Sequence, residues 1–391
     1  MVRLSDFLSE QQRRGKLRRL LPLEHPEGGR IALPQFGEML DFSSNDYLGL
    51  SRHPRLLTAA AEAMSLFGTG AGSARLMGGN LELHRRLEAA LALFKGLPAA
   101  LLFGSGYLAN IGIIPALVGR HDQIFADRLS HASIYDGCRL SGAQLHRFHH
   151  NDCNHLEELL QKRRGGAGQA LIVVESLYSM DGDLCPLAEV VELKERYGCR
   201  LLVDEAHATG LFGPHGAGLV AEAGLAPRVD LVMGTLGKAL GSYGAYVAGD
   251  REMIDYLVNR ARSFIFSTAL PPATTAAALA ALALMVEEPE LRTDLWRRVD
   301  FFKGQLTQAG IETDLGPSQI IPLPVGKSAA AALAAEELRS RGLFVVAVRP
   351  PTVPEGSARL RLSVTRHLSE GNLAEAALLL AAGLRPGQGG S

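Results

Sequence analysis

Hydrophobic and polar residues alternate along this chain in two distinct rhythms. Residues 3–21 carry apolar points at helical spacing, Leu4, Phe7, Leu8, Leu17 and Leu20, which predict an amphipathic helix weakened at Gly15 and ended by Pro22. From about residue 50, helical periods near 55–66, 81–95, 108–118, 131–141, 154–163 and 187–197 are separated by short continuous apolar runs. Those runs, at 100–103, 123–126, 171–174, 201–203, 231–233 and 245–248, are bounded by glycine and polar residues. Such runs fit a parallel sheet covered on both faces, because neither face then alternates with solvent. Strands alternating with helices predict an open α/β sheet.

The last hundred residues read differently. An Ala-rich helical stretch at 273–310 precedes a strand at 320–325, a helix at 328–341, a strand at 343–348, an alternating strand at 359–364 and a helix at 370–382. This pattern predicts a smaller α/β domain. The resulting division is a helical segment at 1–45, a large domain at 46–285 and a small one at 286–391, with a frayed Gly-rich tail after Pro386.

Composition narrows the class. The chain of 391 residues is 47% hydrophobic and 21% charged, as expected of a soluble globular enzyme. A net charge of -1 argues against a general nucleic-acid or membrane-surface partner. Cys138, Cys153, Cys185 and Cys199 form no C-x-x-C pair, so neither a zinc site nor a disulfide framework is expected and no metal is implied. No apolar run reaches the roughly 18 residues of a membrane span. The best, at 269–284, is broken by Pro271 and Pro272. The N-terminus lacks a secretory pattern. Arg13, Arg14, Arg18 and Arg19 hint at a transit peptide, against which Asp6 and Glu10 weigh, so a cytoplasmic location is expected.

The chemistry gathers where strands end. The run at 201–203 leads into Asp204-Glu-Ala-His207, the run at 231–233 into Gly234-Thr-Leu-Gly-Lys238, and the run at 171–174 into Glu175 and the segment to Gly182. In an open α/β sheet, ligands bind at the carboxyl ends of the strands. A lysine, an aspartate and a histidine there suit a cofactor with an aldehyde, a pyridinium nitrogen, a phenolate and a phosphate. Lysine forms an imine, Asp204 keeps the ring protonated as an electron sink, and His207 donates to the phenolate. Thr235 in its Gly-rich surroundings, and Ser105-Gly106-Tyr107 at a helix start, offer phosphate cradles. Each piece alone has a plainer reading. Asp204 is then an N-cap, Lys238 an exposed lysine, His207 a structural histidine and Gly106 a turn residue. Their order at successive strand ends favours the cofactor.

The chain resembles the α-oxoamine synthases, fold-type I pyridoxal-phosphate enzymes. The resemblance runs from about residue 5 to about 383. It is carried by Phe42-Ser-Ser-Asn-Asp-Tyr-Leu-Gly-Leu50, Asp127-Arg-Leu-Ser-His-Ala-Ser133, Ser179-Met-Asp-Gly-Asp183, Val203-Asp-Glu-Ala-His-Ala-Thr-Gly210 and Gly234-Thr-Leu-Gly-Lys238. It implies a large domain with a mostly parallel seven-stranded sheet plus a smaller C-terminal α/β domain. The implied activity joins an amino acid to an acyl thioester with loss of the amino acid's carboxylate.

By motif, Lys238 bonds pyridoxal 5'-phosphate and later removes the α-proton. His131 stacks on the cofactor and contacts substrate, its plainer reading being a helix-capping or core histidine. Asp204 pairs with the pyridine nitrogen, and His207 with Ser179 holds the phenolate side. Gly106, Tyr107 and Thr235 serve the cofactor. Ser267 and Thr268 reach the phosphate of the neighbouring subunit's cofactor, which implies a homodimer with shared sites. Arg18, Asn45, Arg349 and Thr352 resemble substrate contacts, Arg18 alternatively lying on a solvated helix face. The form Arg349-Pro-Pro-Thr-Val-Pro354, with Phe148-His-His-Asn-Asp152, implies L-alanine and a pimeloyl thioester, of CoA or acyl-carrier protein. Condensation of glycine with a short acyl-CoA is the alternative. The Ala74-Arg-Leu-Met77 segment departs from the Gly-rich stretch expected after Ser73.

Overall fold

The computed structural model describes residues 3–24, 28–164, 168–311 and 314–384. The expected frayed tail after Pro386 lies outside them. The chain forms two compact units, one of residues 49–179 and 184–292, the other of residues 1–48, 180–183 and 293–391.

The first unit is built on a seven-stranded sheet. Its strands lie in the order Ala99–Phe103, Ala245–Gly249, Leu231–Thr235, Arg200–Asp204, Ala170–Glu175, Gln123–Asp127 and Gln144–Phe148. All run parallel except Ala245–Gly249, which is antiparallel to both its neighbours. Ala170–Glu175, Leu231–Thr235, Ala245–Gly249 and the edge strand Ala99–Phe103 are buried along their whole length, which is why they read as unbroken apolar runs. Gln144–Phe148 was not anticipated. It is an edge strand with only Phe148 buried, so its sequence is mixed and polar. Helix Gly106–Leu117 packs against the sheet with Ile113 and Ile114 fully buried. Its first turn is capped by Ser105, whose hydroxyl accepts from Leu108 N at 3.2 Å.

The second unit holds two small sheets. Arg30–Leu33, Gly37–Asp41 and Leu343–Phe344 form one. Ile320–Gly326, Ala358–Ser363 and Val346–Val348 form the other. The single strand read at 343–348 is thus two, split at buried Val345 and paired in different sheets. The stretch read as one helix at 273–310 is likewise two, Pro272–Glu287 and Glu290–Gln308, interrupted at Pro289, where proline cannot continue the ladder. The N-terminal helix, read to residue 21, covers only Leu4–Arg13. Gly15 adopts φ +63°, a left-handed conformation that ends the helix well before Pro22.

Candidate active site

The sheet edge formed by the carboxyl ends of the parallel strands collects buried polar side chains. Glu175 and Asp204 are in register at the ends of adjacent strands, and both are buried. Asp204 Oδ2 accepts from Asn110 Nδ2 at 3.0 Å, and Oδ1 accepts from Ala206 N at 2.9 Å. Asn110, wholly buried in helix Gly106–Leu117, gives its other amide hydrogen to Ser133 Oγ at 2.9 Å. Ser133 Oγ lies 2.8 Å from His131 Nδ1, which also accepts from Ser133 N at 3.2 Å. A chain of hydrogen bonds therefore runs from the Asp204 carboxylate through Asn110 and Ser133 to the His131 ring.

That chain settles the state of His131. Because Nδ1 accepts from the Ser133 backbone N–H, the proton of the neutral imidazole sits on Nε2 and the Ser133 hydroxyl donates to Nδ1. Burial lowers the basicity of the ring. The nearby Lys238 charge adds to this, and Asp204 opposes it, so the ring is held below its ordinary value. His131 also caps helix Ala132–Ser141, so the capping role is present. Its backbone N–H donates to Glu175 Oε1 at 2.6 Å. Burial, and then the Asp204 charge, push the Glu175 carboxyl well above the ordinary range.

The remaining residues expected from the sequence divide into two groups. Lys238 is half-buried in the loop after Leu231–Thr235, close enough for its charge to be felt at both His131 and Glu175. The loop is closed by Gly241 N bonding the Lys238 carbonyl at 2.9 Å and Leu236 N bonding the Gly244 carbonyl at 2.9 Å. His207 and Ser179 are buried, His207 within the turn that follows Asp204. Thr235 Oγ1 lies 3.4 Å from the Ala206 carbonyl in that turn. Gly106 faces Thr235 so closely that a Cβ there would come 2.9 Å from Thr235 Cγ2. Tyr107 is exposed, with its hydroxyl donating to Asp136 Oδ2 at 2.5 Å. Ser267 and Thr268 stand apart from the Asp204 chain. Thr268 is exposed and bridges Ala74, and Ala269 N bonds the Ser73 carbonyl at 3.0 Å.

Within the other unit, Arg18 donates to Thr352 Oγ1 at 3.3 Å, and Arg349 donates to the Gly15 carbonyl. Burial, followed by the charges of Arg18 and Arg339, lowers the Arg349 guanidinium below its ordinary value. Asn45 Oδ1 accepts from Tyr47 Oη at 3.1 Å and from Arg361 at 3.2 Å. Arg361 is buried and also bonds Ser363 Oγ at 2.9 Å.

Sequence reasoning passed over Asn110 and Arg361, and placed Glu175 at a strand end without giving it a role. A lone asparagine in an apolar helix and an arginine alternating inside a strand were the available signals. The residues fit the expected pyridoxal phosphate. Asp204 is a buried carboxylate held by neutral donors, as a partner for a protonated ring nitrogen must be. Asn110 Oδ1 is a buried acceptor with no hydrogen-bond partner. Gly106 begins helix Gly106–Leu117 and brings its backbone close to Thr235, with no side chain between them.

Comparison with known proteins is in keeping with this geometry. Residues 37–378 match the model of the aminotransferase class I and II family. Relatives named 8-amino-7-oxononanoate synthase include one from Geobacter sulfurreducens, 49% identical over 377 residues and 96% of each chain. Another, from Anaeromyxobacter dehalogenans, is 51% identical over 349 residues, 89% of this chain and 87% of that one. The chain belongs to the aminotransferase class I and II family, among relatives named 8-amino-7-oxononanoate synthase. Its fold is fold-type I. A serine palmitoyltransferase structure from S. paucimobilis, with bound PLP–myriocin aldimine, superposes with a TM-score of 0.92 at 30% identity, covering 98% of each chain. An 8-amino-7-oxononanoate synthase structure from Francisella tularensis gives 0.76 at 28% identity, covering 88% of this chain and 97% of that one.

Proposed function

We propose that the chain is a pyridoxal-phosphate-dependent acyltransferase that condenses L-alanine with a pimeloyl thioester of CoA or acyl-carrier protein. The products are 8-amino-7-oxononanoate, CO2 and the free thiol, a step of biotin biosynthesis. Relatives of that name at 49% and 51% identity support the substrates. The observation in the molecule that carries the reading is buried Asp204, held by Asn110 and Ala206 beside the Lys238 charge.

Bound here, pyridoxal phosphate supplies an electron sink for charge developing at the amino acid's α-carbon. Lys238 would hold the cofactor covalently, and its Nζ as a free amine would take the α-proton of alanine. Asp204 holds the proton on the ring nitrogen, and Asn110 fixes the carboxylate that does so. His207 and Ser179 bind the phenolate side. Neutral His131 offers its ring to the cofactor face and its Nε2–H to substrate. Gly106, Tyr107 and Thr235 hold the phosphate, joined by Ser267 and Thr268 of a second subunit in a homodimer. The guanidinium of Arg349 suits a carboxylate in two-point fashion, with Arg18, Asn45 and Thr352 as companions. Arg361 is a further carboxylate anchor, a buried cation oriented by neutral oxygens of Asn45, Tyr47 and Ser363. Thioester attack expels the thiol, and the new ketone accepts the electrons released with CO2. Among the described residues no helix is long and apolar enough to cross a membrane, and the reading assigns the enzyme to the cytoplasm.

The test is product analysis with the purified protein and pyridoxal phosphate. L-alanine with pimeloyl-CoA yields 8-amino-7-oxononanoate, CO2 and free thiol in equal amounts. Faster turnover of glycine with acetyl- or succinyl-CoA would keep the family and overturn the substrates.

A further inference from the structure

Glu205 follows Asp204 and has no part in the chemistry above, yet it is wholly buried. Its partner is Lys95, the buried last residue of helix Glu82–Lys95. Lys95 Nζ meets Glu205 Oε2 at 2.6 Å, Thr209 Oγ1 at 3.1 Å and the Ala217 carbonyl at 2.5 Å, which occupies every ammonium donor. The other Glu205 oxygen accepts from Val220 N at 2.8 Å. Burial is the largest single influence on the Lys95 ammonium and acts to lower it, but the charges and hydrogen bonds of Glu205 and Tyr246 together outweigh it and leave it raised.

The same residue ties down the turn. Glu205 N donates to the Met233 carbonyl at 2.7 Å, and the Glu205 carbonyl accepts from Ala208 N and Thr209 N at 3.1 and 2.9 Å. Thr209 Oγ1 is 3.0 Å from the Tyr246 hydroxyl, and Lys95 Nζ lies 5.7 Å from the Tyr246 ring centroid. Two glycines show how closely the group is enclosed. A Cβ on Gly218 would sit 2.1 Å from Glu205 Oε2, and one on Gly234 would sit 2.4 Å from the Tyr246 hydroxyl. Helix, turn and two strands thus converge on one charge pair. Desolvation offsets most of the Coulomb gain of such a pair, so what it supplies is direction more than stability.

We propose that the Lys95–Glu205 pair is the positioning element of the cofactor site, fixing the turn at 205–209 and through it the directions of the Asp204 carboxylate and the His207 ring. The proposal rests on the cofactor reading. Ala206 carries the link, since its N–H bonds Asp204 Oδ1 at 2.9 Å while its carbonyl faces Thr235.

The experiment follows the visible absorbance of bound pyridoxal phosphate in the full-length protein. Lys95→Met leaves Glu205 without its cation. It raises the cofactor's dissociation constant about tenfold or more and moves the pH midpoint of the band by about one unit. Should that variant fail to fold, Lys95→Met combined with Glu205→Gln removes both charges and retains an acceptor for Val220 N. It folds, and shows the same displaced midpoint. A folded single or double variant with wild-type affinity and wild-type midpoint overturns the proposal. A wild type that gains no visible band on adding pyridoxal phosphate overturns the cofactor reading itself, a distinct outcome.

Discussion

Two carboxyl groups at the ends of neighbouring strands, shielded from water, cannot both carry charge cheaply. Glu175 is the one pushed upward, by burial and by Asp204, while its oxygen accepts from His131 N. The sign of the consequence is fixed. Unfolded, Glu175 ionises around 4.5. Folded, it keeps its proton to higher pH, so the folded state binds more protons and loses stability as pH rises above that value. Glu175→Gln keeps the acceptor for His131 and removes the titration. In cofactor-free protein the wild type loses stability relative to this variant as pH rises from about 4.5 toward neutral. Urea denaturation across that range measures it, and parallel curves would contradict it. At this scale the sequence was partly legible. Asp204, His207 and Lys238 follow apolar runs and lie at strand ends as their positions predict. Asn110 did not declare itself, because its partners Asp204 and Ser133 are distant in sequence and meet only when helices Gly106–Leu117 and Ala132–Ser141 pack side by side.

Elements were legible in proportion to their burial. Strands such as Ala170–Glu175, buried at every position, advertise themselves as continuous apolar runs. Helix Gly106–Leu117 is apolar almost throughout, which matches a helix enclosed by neighbours. Ile113 there has no exposed surface, so Ile113→Ala deletes buried methyl groups and leaves a cavity. It costs about 2–5 kcal/mol in unfolding free energy, read from the shift of a denaturant midpoint at constant slope. A loss under about 1 kcal/mol would show that the site collapses around the gap. The elements that escaped have physical reasons. Gln144–Phe148 pairs on one side only and keeps polar residues there. Residues 343–348 look like one strand because both halves are apolar, and only the pairing in two sheets reveals the split.

Whole-molecule organisation is the hardest to see in a linear pattern. The sequence divides naturally into three consecutive pieces, whereas one compact unit draws residues 1–48, 180–183 and 293–391 together. No periodicity records that the short strands Arg30–Leu33 and Gly37–Asp41 share a sheet with Leu343–Phe344. The large sheet, by contrast, sets the ends of its parallel strands on one edge, where buried Glu175 and Asp204 lie in register. The central claim is that Lys238 is the covalent attachment point of pyridoxal phosphate at that edge. The most direct measurement is the absorbance spectrum of purified wild type and Lys238→Ala after pyridoxal phosphate is added and then removed by dialysis. Wild type retains a visible band, which L-alanine shifts. Borohydride reduces the wild-type imine to a stable amine, so the visible band is lost and the cofactor stays covalently attached, whereas the variant, folded by circular dichroism, retains no band after dialysis and no label after reduction. A reduced, covalently labelled Lys238→Ala protein would place the cofactor on another residue and contradict the assignment.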